Sequence, residues 1–401
     1  MSADQPHPAY TVPNKPSPEG LEAAPASPST LDWSLLAIAM TAMVVAAAID
    51  NLRAPLLPTL SERVGLSHSG IAAFIAGGSA GAFCLSLVSA KLLLVWPVRR
   101  FLAASCLLQI ISAVLAVKAG SGWVLMVAGF IWGGGNAGLG LSANLFAIAS
   151  TPDDVRSRTM SALHVCYGVA AMLPGIYVPW SLGLWRFEFV LLAPFALLII
   201  PVIWAYARPR QVLPQEEKDG SAHGFGLDAA LFVVGLSSYV LGEVIASVWL
   251  PTFLIDTGAS LKTAGAAVTA FFAGLAGGRL AGVFLLRPSF ERRVPVIAVT
   301  LGSIAFLGML QGHLWAAALT GLCIAPTFPV MTSIMVSDYP KRYHKLLAYT
   351  FSGMMLVLAS GHQFFGWLAD QVGVQTAFYA PLACFATSVT CIFVREMRRT
   401  S

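Results

Sequence analysis

Charge is the scarcest property of this chain. Asp, Glu, Lys and Arg together make up 11% of its 401 residues, less than half of the roughly 25% usual in a soluble globular protein. With 57% hydrophobic residues and a mean hydropathy of +0.75, that deficit places the chain in a lipid bilayer. Catalytic apparatus is missing too. No Walker A loop, His-Glu-x-x-His or Cys-x-x-Cys occurs, and no nucleophile–base or metal-ligand cluster stands out. The sequence therefore predicts no enzyme, no cofactor and no metal. The stretch Gly133-Gly-Gly-Asn-Ala-Gly138 has dinucleotide-fingerprint spacing, but it sits in an apolar run with no strand before it, which rejects the match. A net charge of +5 is not gathered into one basic patch, so nucleic acid is not an expected partner.

Other absences narrow the setting. There is no Asn-x-Ser/Thr sequon, which fits a bacterial inner membrane. All six cysteines (Cys84, Cys106, Cys166, Cys323, Cys384, Cys391) fall within apolar runs and read as small buried groups rather than disulfide partners. Residues 1–31 are rich in Pro, Ala and Ser and lack a basic segment followed by an apolar core. They read as a disordered cytoplasmic tail, not a signal peptide.

What the chain does contain is long apolar runs, of the roughly 20 residues a helix needs to cross the hydrocarbon core. They start near Trp33, Ser69, Phe101, Trp123, Met160, Glu188, Leu227, Thr263, Val294, Leu314, Leu347 and Thr376. Six precede a polar linker at 208–226 and six follow it. The expected fold is an all-α integral membrane protein of twelve transmembrane helices, with six-helix bundles over 32–207 and 227–395 and a short tail at 396–401. Lys91, Arg99, Arg100, Arg156, Arg158, Arg208, Arg210, Lys218, Arg287, Arg292, Arg293, Lys341, Arg342, Lys345, Arg395, Arg398 and Arg399 fall on alternate loops and the C-terminus. The opposite loops hold only Arg63, Lys118, Arg186 and Lys262. The positive-inside rule then puts both termini in the cytoplasm of a multi-pass inner (plasma) membrane protein.

The halves repeat one pattern. At a constant offset Leu57, Pro58 and Thr59 meet Leu250, Pro251 and Thr252, and Gly65, Ser67, Ala73 and Gly81 meet Gly258, Ser260, Ala266 and Gly274. Asp50 meets Glu243 in the same frame, each acid eight residues before its proline. A charged side chain at mid-bilayer costs about 2.5–3.5 kcal/mol even on lenient insertion scales, so two of them in register point to function. Small-residue series at Gly77, Gly78 and Gly81, at Gly133 to Gly140, and at Gly274, Gly277, Gly278 and Gly282 predict close helix packing.

Asp50 and Arg53 lie three apart and share a helix face, with Asn51 beside them. Either Asp50 exchanges a proton while Arg53 sets its affinity or binds an anionic group, or the two simply neutralise each other. Glu243 has no basic residue within a turn, and Tyr239 and Ser247 are its polar neighbours on the same face. Burial of that kind suits a carboxyl that exchanges protons at physiological pH, or one that stays protonated and bonds a neighbouring helix. Arg279 either meets an acidic solute or pairs with an acid or helix end in a gate. Histidine as a residue type titrates near neutrality, so His164 and His362 could relay protons, with a structural hydrogen bond as the plainer alternative. Asn136, Asn144, Gln363 and Trp249 are groups that bind hydroxyls and stack on sugar rings, although Trp249 also suits an interfacial anchor. Asp370 reads as a loop cap.

Several segments carry a family resemblance. These are Tyr239-Val-Leu-Gly-Glu243 followed by Trp249-Leu-Pro, Gly278-Arg279-Leu-Ala-Gly282, and Leu163-His164-Val-Cys-Tyr-Gly168 ending at Pro174. Pro326-Thr-Phe-Pro329 and Gly366-Trp-Leu-Ala-Asp370 followed by Gly373 complete the set. The chain resembles major facilitator superfamily transporters, and within them the fucose permease-like branch. Parallel six-helix repeats with a solute site between the halves are the plan of that superfamily. The resemblance implies that the first, fourth, seventh and tenth spans line a cavity. It also implies proton-coupled symport of a small, sugar-like solute by a monomer. Two departures stand out. The usual charged motif after the second span is reduced to Lys91 and Arg99-Arg100. Of the branch's two carboxylates, the first-span position falls at Ala54, one turn after Asp50, and the fourth span offers only Asn136 and Asn144. Arg53 and Arg279 keep an organic-anion or efflux transporter in view, and a non-transporting receptor on the same fold is the reading of another class.

Overall fold

The computed structural model describes residues 30–152, 155–208, 226–285, 291–339 and 343–400. Within them the chain is helical, with no strand. Lipid leaves it little choice, because every backbone N–H and C=O must find its partner inside the segment. The first half runs α1 (Trp33–Asn51), α2 (Arg53–Val64), α3 (His68–Val95), α4 (Val98–Lys118), α5 (Gly122–Ser150), α6 (Arg156–Leu182), α7 (Phe187–Leu192) and α8 (Ile199–Tyr206). The second runs α9 (Leu227–Val248), α10 (Leu250–Asp256), α11 (Leu261–Leu285), α12 (Val294–Leu310), α13 (Leu314–Ile324) and α14 (Thr327–Asp338). It closes with α15 (Tyr343–Val372), α16 (Val374–Ala377) and α17 (Ala380–Thr400). The tail and linker readings fall almost wholly outside the described residues, as do Arg210, Lys218, Arg287, Lys341 and Arg342.

Pairs such as α1–α2, α9–α10 and α13–α14 form single crossings interrupted at Leu52, Trp249 and Ala325–Pro326. Proline sets each break, since Pro55, Pro251 and Pro326 lack the N–H that the preceding turn needs. The result is the expected twelve crossings. Eleven are apolar enough to span a membrane by length and composition alone. The twelfth, α15, has 30 residues, but His362, Gln363, two serines and three glycines dilute its apolar character.

Glycine-mediated contact holds neighbouring crossings together. A Cβ on Gly81 would lie 1.8 Å from the Phe130 carbonyl oxygen, and one on Gly274 would lie 1.9 Å from that of Ala318. The two glycines paired by sequence offset therefore serve equivalent contacts, α3 on α5 and α11 on α13. Trp132 fills the first half's core, edge-on to Phe74 at 6.0 Å and to Phe195 at 5.3 Å.

Twelve crossings bring the start of α1 and the end of α17 to one face, the terminal face, and the α2–α3 turn to the opposite, distal face. The halves meet where α3 packs on α15, α6 on α11, and α2 on α10. Near the distal face Gly366 presses on Ala72, Gly175 on Gly265, and Thr269 donates to the Met172 carbonyl at 3.0 Å. At the terminal face of the second half, Asp338 and Arg395 are 1% and 2% exposed and pair at 2.5 Å. Arg292, Arg399, Asp228 and Glu396 surround them. This network ties α9, α14, α17 and the turn before α12 together, whereas in the sequence its arginines read only as topology markers.

Candidate functional site

Both intramembrane acids stand just before a helix break. Asp50 lies in the last turn of α1, and Arg53 opens α2 and turns back to it. Arg53 Nη2 bonds the Asp50 carboxylate, and its Nε donates to the Asp50 backbone oxygen at 3.0 Å. The side chains are 16% and 20% exposed, so each removes most of the other's burial cost. Tyr167 of α6 donates to Asp50 Oδ2 at 3.4 Å and accepts from Asn51 Nδ2 at 3.4 Å.

Glu243 sits near the end of α9, where Tyr239, one turn back, donates to its carboxylate. The expectation that Glu243 lacks a nearby cation is overturned. Arg279 of α11 places Nη2 3.8 Å from Glu243 Oε1, with the pair 18% and 15% exposed. Arg279 comes from another helix, which no same-helix spacing could show. At 3.8 Å the contact is electrostatic and too long for a hydrogen bond, so Glu243 is held more loosely than Asp50. Arg279 also acts electrostatically on Tyr167 and His164 across the interface. The two acid–arginine units thus share one interior. Tyr167 belongs to it and was not singled out; its only signal was a phenol beside Gly168 in a quoted motif.

The remaining candidates divide. Trp249 is fully buried, not an interfacial anchor. Its Nε1 donates to His362 Nδ1 at 3.2 Å, and its ring lies 4.6 Å from that of Phe365 and 6.5 Å from that of His68. Burial between the halves gives this tryptophan and His362 a place in the distal closure. His164 is exposed and makes no hydrogen bond among the described residues. Asn144 bonds its own helix at Gly140, and Gln363 reaches the Ser69 carbonyl at 3.5 Å. Asn136 keeps a buried Oδ1 without a hydrogen-bond partner among the described residues.

Asp370 caps a helix rather than a loop, and the helix belongs to the other half. Its carboxylate accepts from the His68 and Ser69 backbone N–H groups at 2.8 and 2.9 Å and lies 3.1 Å from His68 Nδ1. These are the orphan donors of α3, where a negative charge is favoured. Asp370→Ala is expected to shift the balance of distal-closed to distal-open protein by roughly tenfold or more, the worth of charge-assisted hydrogen bonds. Spin labels replacing the exposed Glu62 and Lys262, on a cysteine-free background, read the separation of the halves. An unchanged distance distribution would assign Asp370 no part in the closure.

Broken helices, paired interior charges and twelve crossings together define a multi-pass helical membrane protein with a polar centre between two halves. The Major Facilitator Superfamily family model matches residues 38–282, and the chain belongs to that superfamily. It is similar to the glucose/galactose transporter of Brucella abortus biovar 1 (strain 9-941), at 29% identity over 222 residues, covering 50% of this chain and 51% of the relative. The chain thus spans about half the length of the curated relatives it matches. Among solved structures it is similar to a D-xylose–proton symporter, with TM-score 0.74 at 12% identity, covering 90% of this chain and 97% of the other. It is also similar to the transporter FucP in the outward conformation, with TM-score 0.61 at 15% identity and coverage of 90% and 98%. At such identities the structural likeness concerns the fold.

Proposed function

We propose that this protein moves a small polar solute of the sugar class across the membrane by alternating access, with protons exchanging at Glu243 as the driving ion. The two six-helix bundles, 32–207 and 227–395, rock about the central charges, and a single copy of the chain suffices. The distal closure corresponds to an inward-facing state with the termini in the cytoplasm. The observation that carries the reading is the loose Glu243–Arg279 contact at 3.8 Å beside the Tyr239 bond. A proton on Glu243 removes the attraction to Arg279 and so changes the relative stability of states that place these groups differently, which coupling requires. Sugar as the solute class is supported by the likeness to the Brucella glucose/galactose transporters and by the spare acceptor of Asn136. Each interior arginine already faces a carboxylate, which weighs against an anionic solute.

Reconstituted vesicles test this directly. With one proton moved per solute, a gradient of one pH unit supports roughly tenfold accumulation of a transported sugar. Glu243→Gln is expected to abolish that accumulation while exchange of labelled for unlabelled solute continues. Full accumulation by the variant would reject Glu243 as the coupling group.

A further inference from the structure

The Tyr239 hydroxyl has two acceptors and one proton. It reaches the Glu243 carboxylate and also the Ile324 backbone carbonyl, at 3.1 Å. Ile324 is the last residue of α13, immediately before the Ala325–Pro326 break, where helix carbonyls have no partner of their own. Among the described residues no backbone N–H outside the regular helix bonds supplies one. Tyr239 is fully buried, so bulk solvent does not reach its hydroxyl.

Taking the proton-exchange reading of Glu243 as given, we infer that Tyr239 relays the protonation state of Glu243 to the break in the tenth crossing. When Glu243 is ionised, its oxygen takes the Tyr239 proton and the Ile324 carbonyl is left without a donor. When Glu243 gains a proton, its own O–H donates to the Tyr239 oxygen. The Tyr239 proton is then free to turn to Ile324, and that bond holds α13 and α14 in their present bend. No proton leaves tyrosine in either state; one hydroxyl changes partner. Beyond the break, α14 packs through Phe328 on Phe351 of α15, rings 6.0 Å apart, and carries Asp338 at its end. A change at Ile324 therefore acts on the terminal-side half of the second bundle.

Other groups face this site without replacing the relay. Arg279 comes from α11, His362 of α15 is held by Trp249, and Arg53 of α2 is committed to Asp50. From α17, Cys384 lies against Gly242. Tyr339 of α14 and Arg395 of α17 engage Asp228, about four turns away along α9.

The test uses full-length protein in lipid nanodiscs, with the Glu62/Lys262 spin-label pair read across about pH 5–8, the range of physiological proton exchange. Wild type is expected to shift the ratio of its two distance populations about tenfold, the size that one net hydrogen bond supports. Tyr239→Phe, which keeps the ring and removes only the hydroxyl, is expected to lose that shift. Its Glu243 carboxyl infrared band, identified by difference from Glu243→Gln, should still titrate. A purely structural tyrosine would lower stability without separating these two readouts. If Tyr239→Phe keeps the wild-type shift and Glu243→Gln loses it, the relay is wrong and the proton site stands. If both variants keep it, the proton site itself falls, and the relay with it.

Discussion

Gly133→Leu is expected to prevent assembly of the folded protein. A Cβ at Gly133 would lie 1.7 Å from the Gly78 carbonyl oxygen and 2.3 Å from its carbonyl carbon. The obstacle is backbone, so no rotamer change relieves it. The only relief is separation of α3 from α5, which forfeits packing along both helices, because dispersion attraction falls off within a fraction of an ångström. Transmembrane helices have no solvent-driven force to compensate, since lipid tails are as apolar as the side chains. Alanine is expected to cost about 1–3 kcal/mol, the usual range for overpacking, and leucine more. Gly140 supplies the control on the same helix, as a Cβ there meets nothing within 4 Å. Gly140→Ala should leave stability unchanged or raise it slightly, since alanine is the better helix former by about 1 kcal/mol. Size-exclusion chromatography and thermal unfolding of the three variants read the effect. Monodisperse Gly133→Leu melting with wild type would show that the glycine contact does not hold these helices.

The features legible in the sequence were those carried by spacing along one helix. Twelve apolar runs, the Asp50–Arg53 pair and the Tyr239–Glu243 contact all follow from periodicity. Gly81 and Gly274 were legible as a repeated pair, and the structure shows both at the same kind of interface. The features that stayed hidden depend on which helices become neighbours. Arg279 reaches Glu243 from another helix, and Tyr167 enters the centre only because α6 packs between α1 and α11. Trp249 looked like an interfacial residue because its position in the chain resembles an anchor's. Burial against His362 and Phe365 depends on the opposing helix, which composition cannot supply. Asp370 illustrates the same limit, since its partner helix lies some 300 residues away in sequence. Charged residues near loops read as topology signals, and that reading hid the network around Arg395.

That network carries the second large expectation. Asp338→Ala should destabilise the protein by about 3–5 kcal/mol, the usual cost of removing one partner of a buried ion pair. Asp338 accepts from Arg292 and Arg395, each at 2.5 Å, and from Arg399. Arg292 and Arg399 are partly exposed and can turn to water. Arg395 cannot: it is 2% exposed, and its Nε already lacks a partner. Without Asp338 it keeps Asp228 at 3.2 Å, Glu396 at 3.0 Å, a hydrogen bond with Tyr339 and the Phe232 ring at 5.1 Å. The dependence on pH separates this from a simple loss of packing. Burial pushes the Asp338 carboxyl up, but hydrogen bonds from Arg292 and Arg395 outweigh it and hold the group below its ordinary value. A carboxyl whose folded pKa is depressed stabilises fully above its unfolded pKa of about 3.9 and loses that contribution as pH falls through the lower folded value. Wild type and Asp338→Ala should therefore differ by a constant amount between about pH 5 and pH 8 and converge in stronger acid. Denaturant unfolding in detergent at several pH values measures the gap. A gap that stays the same in strong acid would mean that the Asp338 side chain acts by shape, and Arg395 would then be held by its remaining partners.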